Sequence, residues 1–288
     1  MISGSGAMLN GAPSGTGLPV RPVAARAEPV MGTVVSFAVL PGDLTDAELW
    51  SALEAACAVL HRAEAVFSTW DPRSAVSRLR RGEAGPGPLP AEVAEVTALC
   101  QLARDVSGGW FDPWALPGGY DPTGLVKGWA VDGALAALRQ AGVPAAIVNG
   151  GGDLAAFGSP APRQRWRAGI RHPWRPNALA AVVEVGAAVA TSGTYERGAH
   201  LVDPRTGRPG SRAASATVTG PSLALADALA TALAVGGDAA LDAVAALESY
   251  DGYLIRPDGS EASTGGFAFA VTGPTSTGEV TAGPQALE

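Results

Sequence analysis

A carboxylate and a hydroxyl share one face of an apolar helix in the last third of the chain. Asp227 and Thr231 are four residues apart in the helix predicted from Leu223 to Val235, which otherwise holds only Ala, Leu and Val. A carboxylate in such a segment needs a partner. Either Asp227 faces an Arg from elsewhere while Thr231 bonds to its own helix, or both oxygens bind a hard cation. Sparse protein ligation of this kind suits Mg²⁺.

The only lysine of the chain lies in a glycine-flanked turn that leads into a helix. Of the 20 basic residues, 19 are arginine and the other is Lys127, within the segment 120–129. The backbone amides at a helix N-terminus favour an anion, and a lysine there opposes the helix dipole unless another group holds it. The turn lacks the glycine spacing of a P-loop, so it predicts either a nucleotide contact or a structural lysine.

A polar loop that is interrupted by glycine presents one of the three histidines. His200 stands close in sequence to Tyr195 and Asp203. Because an imidazole titrates near neutral pH, His200 is a candidate general base. The other two histidines, His61 and His172, are predicted to have structural or surface roles.

A glycine run, Gly150 to Gly152, precedes Asp153 after a short predicted strand. It predicts a tight turn, with close approach to a ligand as the alternative. The sequence contains no dinucleotide-binding fingerprint, no HExxH zinc motif and no nucleophile elbow.

The elements that must position these residues mix helices and strands without strict alternation, which favours an α+β layer arrangement over a doubly wound sheet. The first helix is expected to begin after Thr45, where Glu48 completes a capping box. Helices are predicted over 45–66, 90–107, 126–140 and 223–235, and strands over 34–39, 145–148, 166–170, 180–185 and 187–191. Ser222 is the predicted cap of the last helix, and Gly236 its end. Residues 1–19 and 263–288 are predicted to be flexible tails around one domain, 20–262.

Composition excludes several classes of function. The net charge is −7, and no basic run is longer than a pair of arginines, so nucleic acid is not expected as a partner. Aspartates interrupt the apolar stretch 223–247, which argues against a membrane span. Cys57 and Cys100 are predicted to be reduced structural thiols. The first 19 residues lack a signal-peptide pattern, which predicts a cytoplasmic location.

Eight short strings follow one another along the chain. They are MGT (31–33), FSTW (67–70), GWFDP (109–113), YDPTGLVKGW (120–129), VNGGGDL (148–154), TSGTYE with HLVDP (191–204) and ADALATAL (226–233). Together they extend from about Met31 to Val235. This order is similar to that of the ApbE family, the FAD:protein FMN transferases.

The resemblance implies a single T-fold-like domain of the ApbE type, α+β, with mixed or antiparallel sheets and packed helices. It implies a Mg²⁺-dependent reaction in which FAD is split at its pyrophosphate. FMN is attached through a phosphoester to a Ser or Thr of a target flavoprotein, and AMP is released. A Mg²⁺-dependent FAD pyrophosphatase that releases FMN and AMP, and a non-catalytic flavin-binding carrier, remain alternatives.

The resemblance also implies roles for individual residues. Asp227 and Thr231 would bind Mg²⁺, assisted by the carbonyls of Gly124 and Ala230, and His200 would deprotonate the acceptor hydroxyl. The residues expected to hold FAD are Met31, Trp70, Trp110, Phe111, Asp112, Asp121, Lys127 and Leu201. The sequence departs from the family at position 70, where Tyr is common, and in the short segment 113–120. The lack of a secretory leader favours a cytoplasmic acceptor.

Overall fold

In the computed structural model, the described residues between 46 and 245 form six helices. The structure describes residues 23–83, 88–116, 118–193 and 201–271. The helices within these ranges are α1 (Asp46–Phe67), α2 (Ala75–Arg80), α3 (Ala91–Val106), α4 (Thr123–Gln140), α5 (Leu223–Gly236) and α6 (Asp238–Ala245). In this part of the chain, no helix combines the length and the apolar character that a membrane crossing requires.

The strands of the described chain form three sheets. They are β1 (Ala24–Val30), β2 (Thr33–Leu40), β3 (Ala145–Gly150), β4 (Asp153–Phe157), β5 (Trp166–Arg171), β6 (Leu179–Val185), β7 (Ala188–Gly193), β8 (Val202–Asp203), β9 (Arg208–Pro209), β10 (Ser215–Gly220), β11 (Asp251–Ile255), β12 (Glu261–Ser263) and β13 (Phe269–Val271). The main sheet has the order β1-β2-β3-β4-β7-β10-β11-β12, the second has β13-β6-β5, and β8 pairs with β9. All of these pairings are antiparallel.

Two hydrophobic cores separate three layers. The larger core joins the helices to one face of the main sheet. The smaller core lies between the main sheet and the second sheet, where Ile170 and Val183 meet Val189 and Ile255. Helices thus cover one face of an antiparallel sheet, which confirms the predicted α+β class.

Helix α1 forms as its sequence predicts. Thr45 Oγ1 accepts a hydrogen bond from the backbone N–H of Glu48 at 3.3 Å, and the Glu48 carboxylate accepts one from the N–H of Thr45 at 2.8 Å. These two bonds are the predicted capping box. The residues buried at helical spacing, Leu49, Leu53, Ala56, Leu60 and Ala63, form the face that contacts the core.

Helix α5 is buried on almost every side, between α4 and the strands β7 and β10. Its first turn is capped from α4, because the Asp132 carboxylate accepts hydrogen bonds from Leu223 N at 3.1 Å and Ala224 N at 3.0 Å. The prediction that the Ser222 side chain caps α5 is wrong: the Ser222 hydroxyl donates to Asp132 at 2.9 Å. The buried carboxylate accepts two backbone N–H bonds, where a serine hydroxyl accepts one.

Two predicted boundaries differ from the structure by three residues or more. Helix α4 begins at Thr123, three residues before the predicted start, so Lys127 lies in its second turn. The predicted C-terminal tail begins too early, because β13 pairs with β6. Phe267 is buried against Tyr253. The burial of these aromatic rings outweighs the local Gly and Ser composition.

Candidate active site

A lysine and two aspartates meet where α4, β4 and α5 come together. Lys127 Nζ donates to Asp153 Oδ2 and lies 3.2 Å from Asp227 Oδ2. The side chains of Asp153 and Asp227 are only 6% and 8% exposed, and that of Lys127 is 20% exposed. The three groups therefore interact largely out of water, where the attraction between the lysine and each aspartate is stronger than at the surface.

One partner of Asp227 is a lysine that lies 100 positions earlier in the chain, whereas the sequence left open an arginine or a bound cation. Asp153, which the sequence assigned only to a turn, belongs to the candidate site, and sequence reasoning missed it. A signal was present, since Asp153 is the first residue of a strand that is otherwise apolar. Gly152 N donates to Asn149 Oδ1 at 2.7 Å, so the predicted tight turn is confirmed.

Two hydroxyl groups, one on α5 and one on β7, lie close to each other beside this cluster. Thr231 lies one turn after Asp227, and its Oγ1 is 3.3 Å from Ser192 Oγ on β7. A Cβ on Gly124 would lie 3.9 Å from Thr231 Oγ1 and 3.2 Å from the Phe111 ring. The first turn of α4 thus lies close to the Thr231 hydroxyl.

This donor set fits a hard cation. A carboxylate, two hydroxyls and nearby backbone are oxygen donors, which Mg²⁺ prefers. Ala230, the other residue expected to assist through its carbonyl, is fully buried just before Thr231. Among the residues that the structure describes, no group of three or more His, Cys, Asp or Glu is placed to hold a metal ion. A cation here would need water, carbonyls or a phosphate as further ligands.

Asp121 organises the start of α4. Its Oδ1 accepts hydrogen bonds from Thr123 N at 3.1 Å and from Thr123 Oγ1 at 2.7 Å. Its Oδ2 forms an ion pair of 2.8 Å with Arg80 of α2. The carboxylate that the sequence assigned to nucleotide binding therefore also fixes the N-terminal end of the helix that carries Lys127.

The aromatic residues predicted to line the flavin are in unlike environments. Phe111 is buried, and its ring lies beside Gly124. Trp110 is also buried, and the guanidinium carbons of Arg205 and Arg212 lie 3.4 and 4.8 Å from the centre of its ring. The indole of Trp70, by contrast, is 93% exposed.

The remaining predicted residues have contacts of their own. Asp112 forms an ion pair of 2.9 Å with Arg104, and Leu201 is buried in the larger core. Met31 has φ +54° in the two-residue turn between β1 and β2, and its N–H donates to Glu64 Oε1 at 2.9 Å. Left-handed backbone is uncommon for methionine, and such strain is often found at functional sites. His200 lies outside the described residues.

Neither cysteine belongs to this site. Cys57 and Cys100 are free and buried, as predicted. Burial raises the pKa of the Cys57 thiol to about 11 and that of the Cys100 thiol to about 12. A raised pKa disfavours the thiolate, which is the form of cysteine that acts as a nucleophile.

Comparison with known proteins decides the family. The sequence profile of the ApbE family matches residues 31–117 and 119–254. The chain belongs to the ApbE family. An FAD:protein FMN transferase of Rhodobacter capsulatus is 37% identical over 167 residues, which are 51% of this chain and 32% of the relative. Another, from Salmonella typhimurium, is 32% identical over 188 residues, 60% of this chain and 54% of the relative. The aligned part of this chain thus spans about a third to a half of these relatives.

Solved structures share the ApbE fold. The ApbE protein from Thermotoga maritima superposes with a TM-score of 0.74 at 21% identity, covering 84% of this chain and 97% of that chain. The flavin transferase ApbE from Vibrio cholerae gives 0.72 at 22% identity, covering 85% and 98%. The chain is therefore a single mixed α+β domain of the ApbE type with antiparallel sheets.

Proposed function

We propose that this ApbE family member is an FAD:protein FMN transferase. Membership of the family and the names of the two relatives support this proposal. The observation that carries it is the cluster of Lys127, Asp153 and Asp227 beside the Thr231 hydroxyl, because it joins one cation to hard oxygen donors in a largely buried setting. Such a setting suits a bound pyrophosphate and a divalent ion.

In the proposed reaction, the hydroxyl oxygen of an acceptor Ser or Thr attacks the phosphorus of the FMN half of FAD. The phosphoanhydride bond breaks, AMP leaves with the bridging oxygen, and a base takes the hydroxyl proton. His200 is the base that we propose. The ammonium of Lys127 would bind a pyrophosphate oxygen, and Asp121 would support it through the first turn of α4.

We propose that Asp227 and Thr231 hold Mg²⁺, with the carbonyls of Gly124 and Ala230. When bound, the ion would offset the negative charge that grows on the phosphate oxygens as the bond breaks. Asp227 supplies the charge that attracts it. Phe111 would exclude water on the side of Gly124.

The FAD surface would be lined by Met31, Trp70, Trp110, Phe111, Asp112 and Leu201. Of these, Trp70 offers a free aromatic face for stacking. The ring of Trp110 is buried against Arg205 and Arg212. A cytoplasmic location of the enzyme and its acceptor stays a prediction, which cell fractionation tests.

The test is incubation of the purified chain with FAD, Mg²⁺ and a candidate flavoprotein that contains an acceptor Ser or Thr. We expect covalent flavin on the acceptor by mass spectrometry, together with one AMP per FMN transferred. Release of free FMN and AMP without labelling would indicate the pyrophosphatase. FAD that stays bound and intact would indicate a carrier.

A variant pair tests the metal assignment. Asp227→Asn should lower Mg²⁺-dependent turnover by about 100-fold or more while FAD binding largely survives. The matched control is Asp238→Asn, which removes an exposed carboxylate that pairs with Arg256 on the surface. Equal turnover in the two variants would contradict the role of Asp227.

A further inference from the structure

The Lys127 ammonium has two carboxylates within reach, and only one of them belongs to the proposed metal site. It donates a hydrogen bond to Asp153 and approaches Asp227 at 3.2 Å. If Asp153 were absent, Asp227 would be the nearest anion. A buried ammonium without a counter-charge is unstable, so it would pair with Asp227 alone.

Asp153 is held in place for this role. Its Oδ1 accepts a hydrogen bond from Thr191 N at 2.8 Å, while its Oδ2 accepts from Lys127. Both oxygens are engaged, and the residue is only 4% exposed, which leaves the carboxylate little freedom to rotate. Thr191 lies in β7, so its hydrogen bond to Asp153 also holds the next residue of that strand, Ser192. The Ser192 hydroxyl lies beside Thr231.

The backbone around Asp153 lets Lys127 come this close. A Cβ on Gly150 would lie 2.8 Å from Val131 and 3.7 Å from Lys127 Cγ. Glycine at this position therefore allows α4 to approach the turn that leads into β4. The close contact between lysine and aspartate depends on that approach.

We propose that Asp153 pairs with the Lys127 ammonium and thereby leaves the Asp227 carboxylate available to a divalent cation. This inference rests on the proposed metal site. Asp153 is a positioning residue, because it acts through Lys127. Without it, the ammonium neutralises Asp227 and competes with the metal ion for the same oxygen.

The experiment measures Mn²⁺ binding to the full chain by electron paramagnetic resonance, with no FAD present. Asp153→Asn should weaken Mn²⁺ binding by about 10–100-fold, the usual effect of losing a residue that supports a metal ligand. The double variant K127M/D153N lacks the competing ammonium. It should regain about tenfold or more of the lost affinity, which a purely structural role of Asp153 does not predict.

The control is Asp251→Asn, which removes a carboxylate on β11 that accepts from Thr264. It should bind Mn²⁺ like the wild type. Wild-type affinity in D153N, or a double variant as weak as D153N, would overturn the inference. If D153N does not fold, K127M alone decides: binding at least as tight as wild type supports competition, and a tenfold loss overturns it.

The outcomes separate this inference from the proposed function. If the wild type binds Mn²⁺ and transfers FMN, and D153N binds Mn²⁺ as tightly as the wild type, the inference alone is rejected. Mn²⁺ binding that responds to Asp153 without any FMN transfer supports the inference and rejects the transferase. A wild-type chain that binds no Mn²⁺ rejects both the metal site and the inference.

Discussion

Removal of the Asp132 carboxylate should loosen the helix that carries Asp227 and Thr231. Asp132 lies on α4 and accepts hydrogen bonds from Leu223 N, Ala224 N and Ser222 Oγ. In Asp132→Ala, two buried N–H groups at the start of α5 lose their acceptor. Each such loss costs about 1–3 kcal/mol, and the Ser222 hydroxyl can replace one of the two bonds.

The N–H that stays without an acceptor costs about 1–3 kcal/mol, and the lost bond from the Ser222 hydroxyl costs about 1 kcal/mol. The expected loss in the free energy of unfolding is therefore about 2–4 kcal/mol for Asp132→Ala. For a domain of this size, that corresponds to a fall in Tm of about 4–16 °C. Ser222→Ala removes only one hydroxyl bond and should cost about 1 kcal/mol. Asp132→Asn, which keeps one acceptor oxygen, should fall between these two variants.

The assay is urea unfolding followed by circular dichroism, with all variants at one pH. A value for Asp132→Ala within about 0.5 kcal/mol of the wild type would refute the cap, because surface substitutions commonly give changes of that size. A loss in Ser222→Ala as large as that in Asp132→Ala would show that the hydroxyl, and not the carboxylate, holds the helix end.

The pH dependence gives a second measure of the same group. Burial raises the pKa of the Asp132 carboxyl above its ordinary value, despite the hydrogen bonds to its charged form. The folded state then binds this proton more tightly than the unfolded state. The contribution of Asp132 to stability is therefore largest below the ordinary Asp pKa and decreases as pH rises through the raised pKa. Asp132→Asn should remove this pH-dependent part of the free energy of unfolding.

Three further perturbations have defined outcomes. Lys127→Ala should weaken FAD binding by about tenfold, measured by flavin fluorescence, because one charge-assisted contact is lost; unchanged affinity would make the lysine structural. Gly128→Ala should cost about 1–3 kcal/mol in urea unfolding, because its Cβ would overlap the backbone of Leu223. Glu28 has its pKa lowered to about 2, first by the hydrogen bond from His61. The stability that it contributes should therefore be present above about pH 4.5 and be lost as pH falls through about 2. Glu28→Gln should make the free energy of unfolding depend less on pH in this acid range.

The helices α1 and α3 could be predicted because their signals are local. Thr45 and Glu48 are three residues apart, and the buried face of α1 repeats at helical spacing. The C-terminal end of the fold could not be predicted in this way. Phe267 and Phe269 lie in a segment rich in Gly and Ser, and their burial depends on Tyr253 and the second sheet.

In the candidate site too, some residues could be predicted from local signals, whereas their tertiary contacts could not. Asp227 and Thr231 stood out because a carboxylate in an apolar helix must have a partner, and their spacing places both on one face. Trp110 stood out as an aromatic residue in a motif, and the structure adds that its ring lies against Arg205 and Arg212, which are about 100 positions away. A single aromatic residue in a motif does not show which side chains cover it.

The sequence by itself determined the family, the class of fold and the chemistry of the donor set, because these depend on motif order, periodicity and residue type. Tertiary structure alone decided the partners. Lys127 meets Asp153 across 26 positions, and Asp132 caps α5 across 92. Such contacts depend on how closely α4 approaches α5 and β4. That distance is set by the packing of glycines and alanines from several elements at once, which no single segment of the sequence encodes.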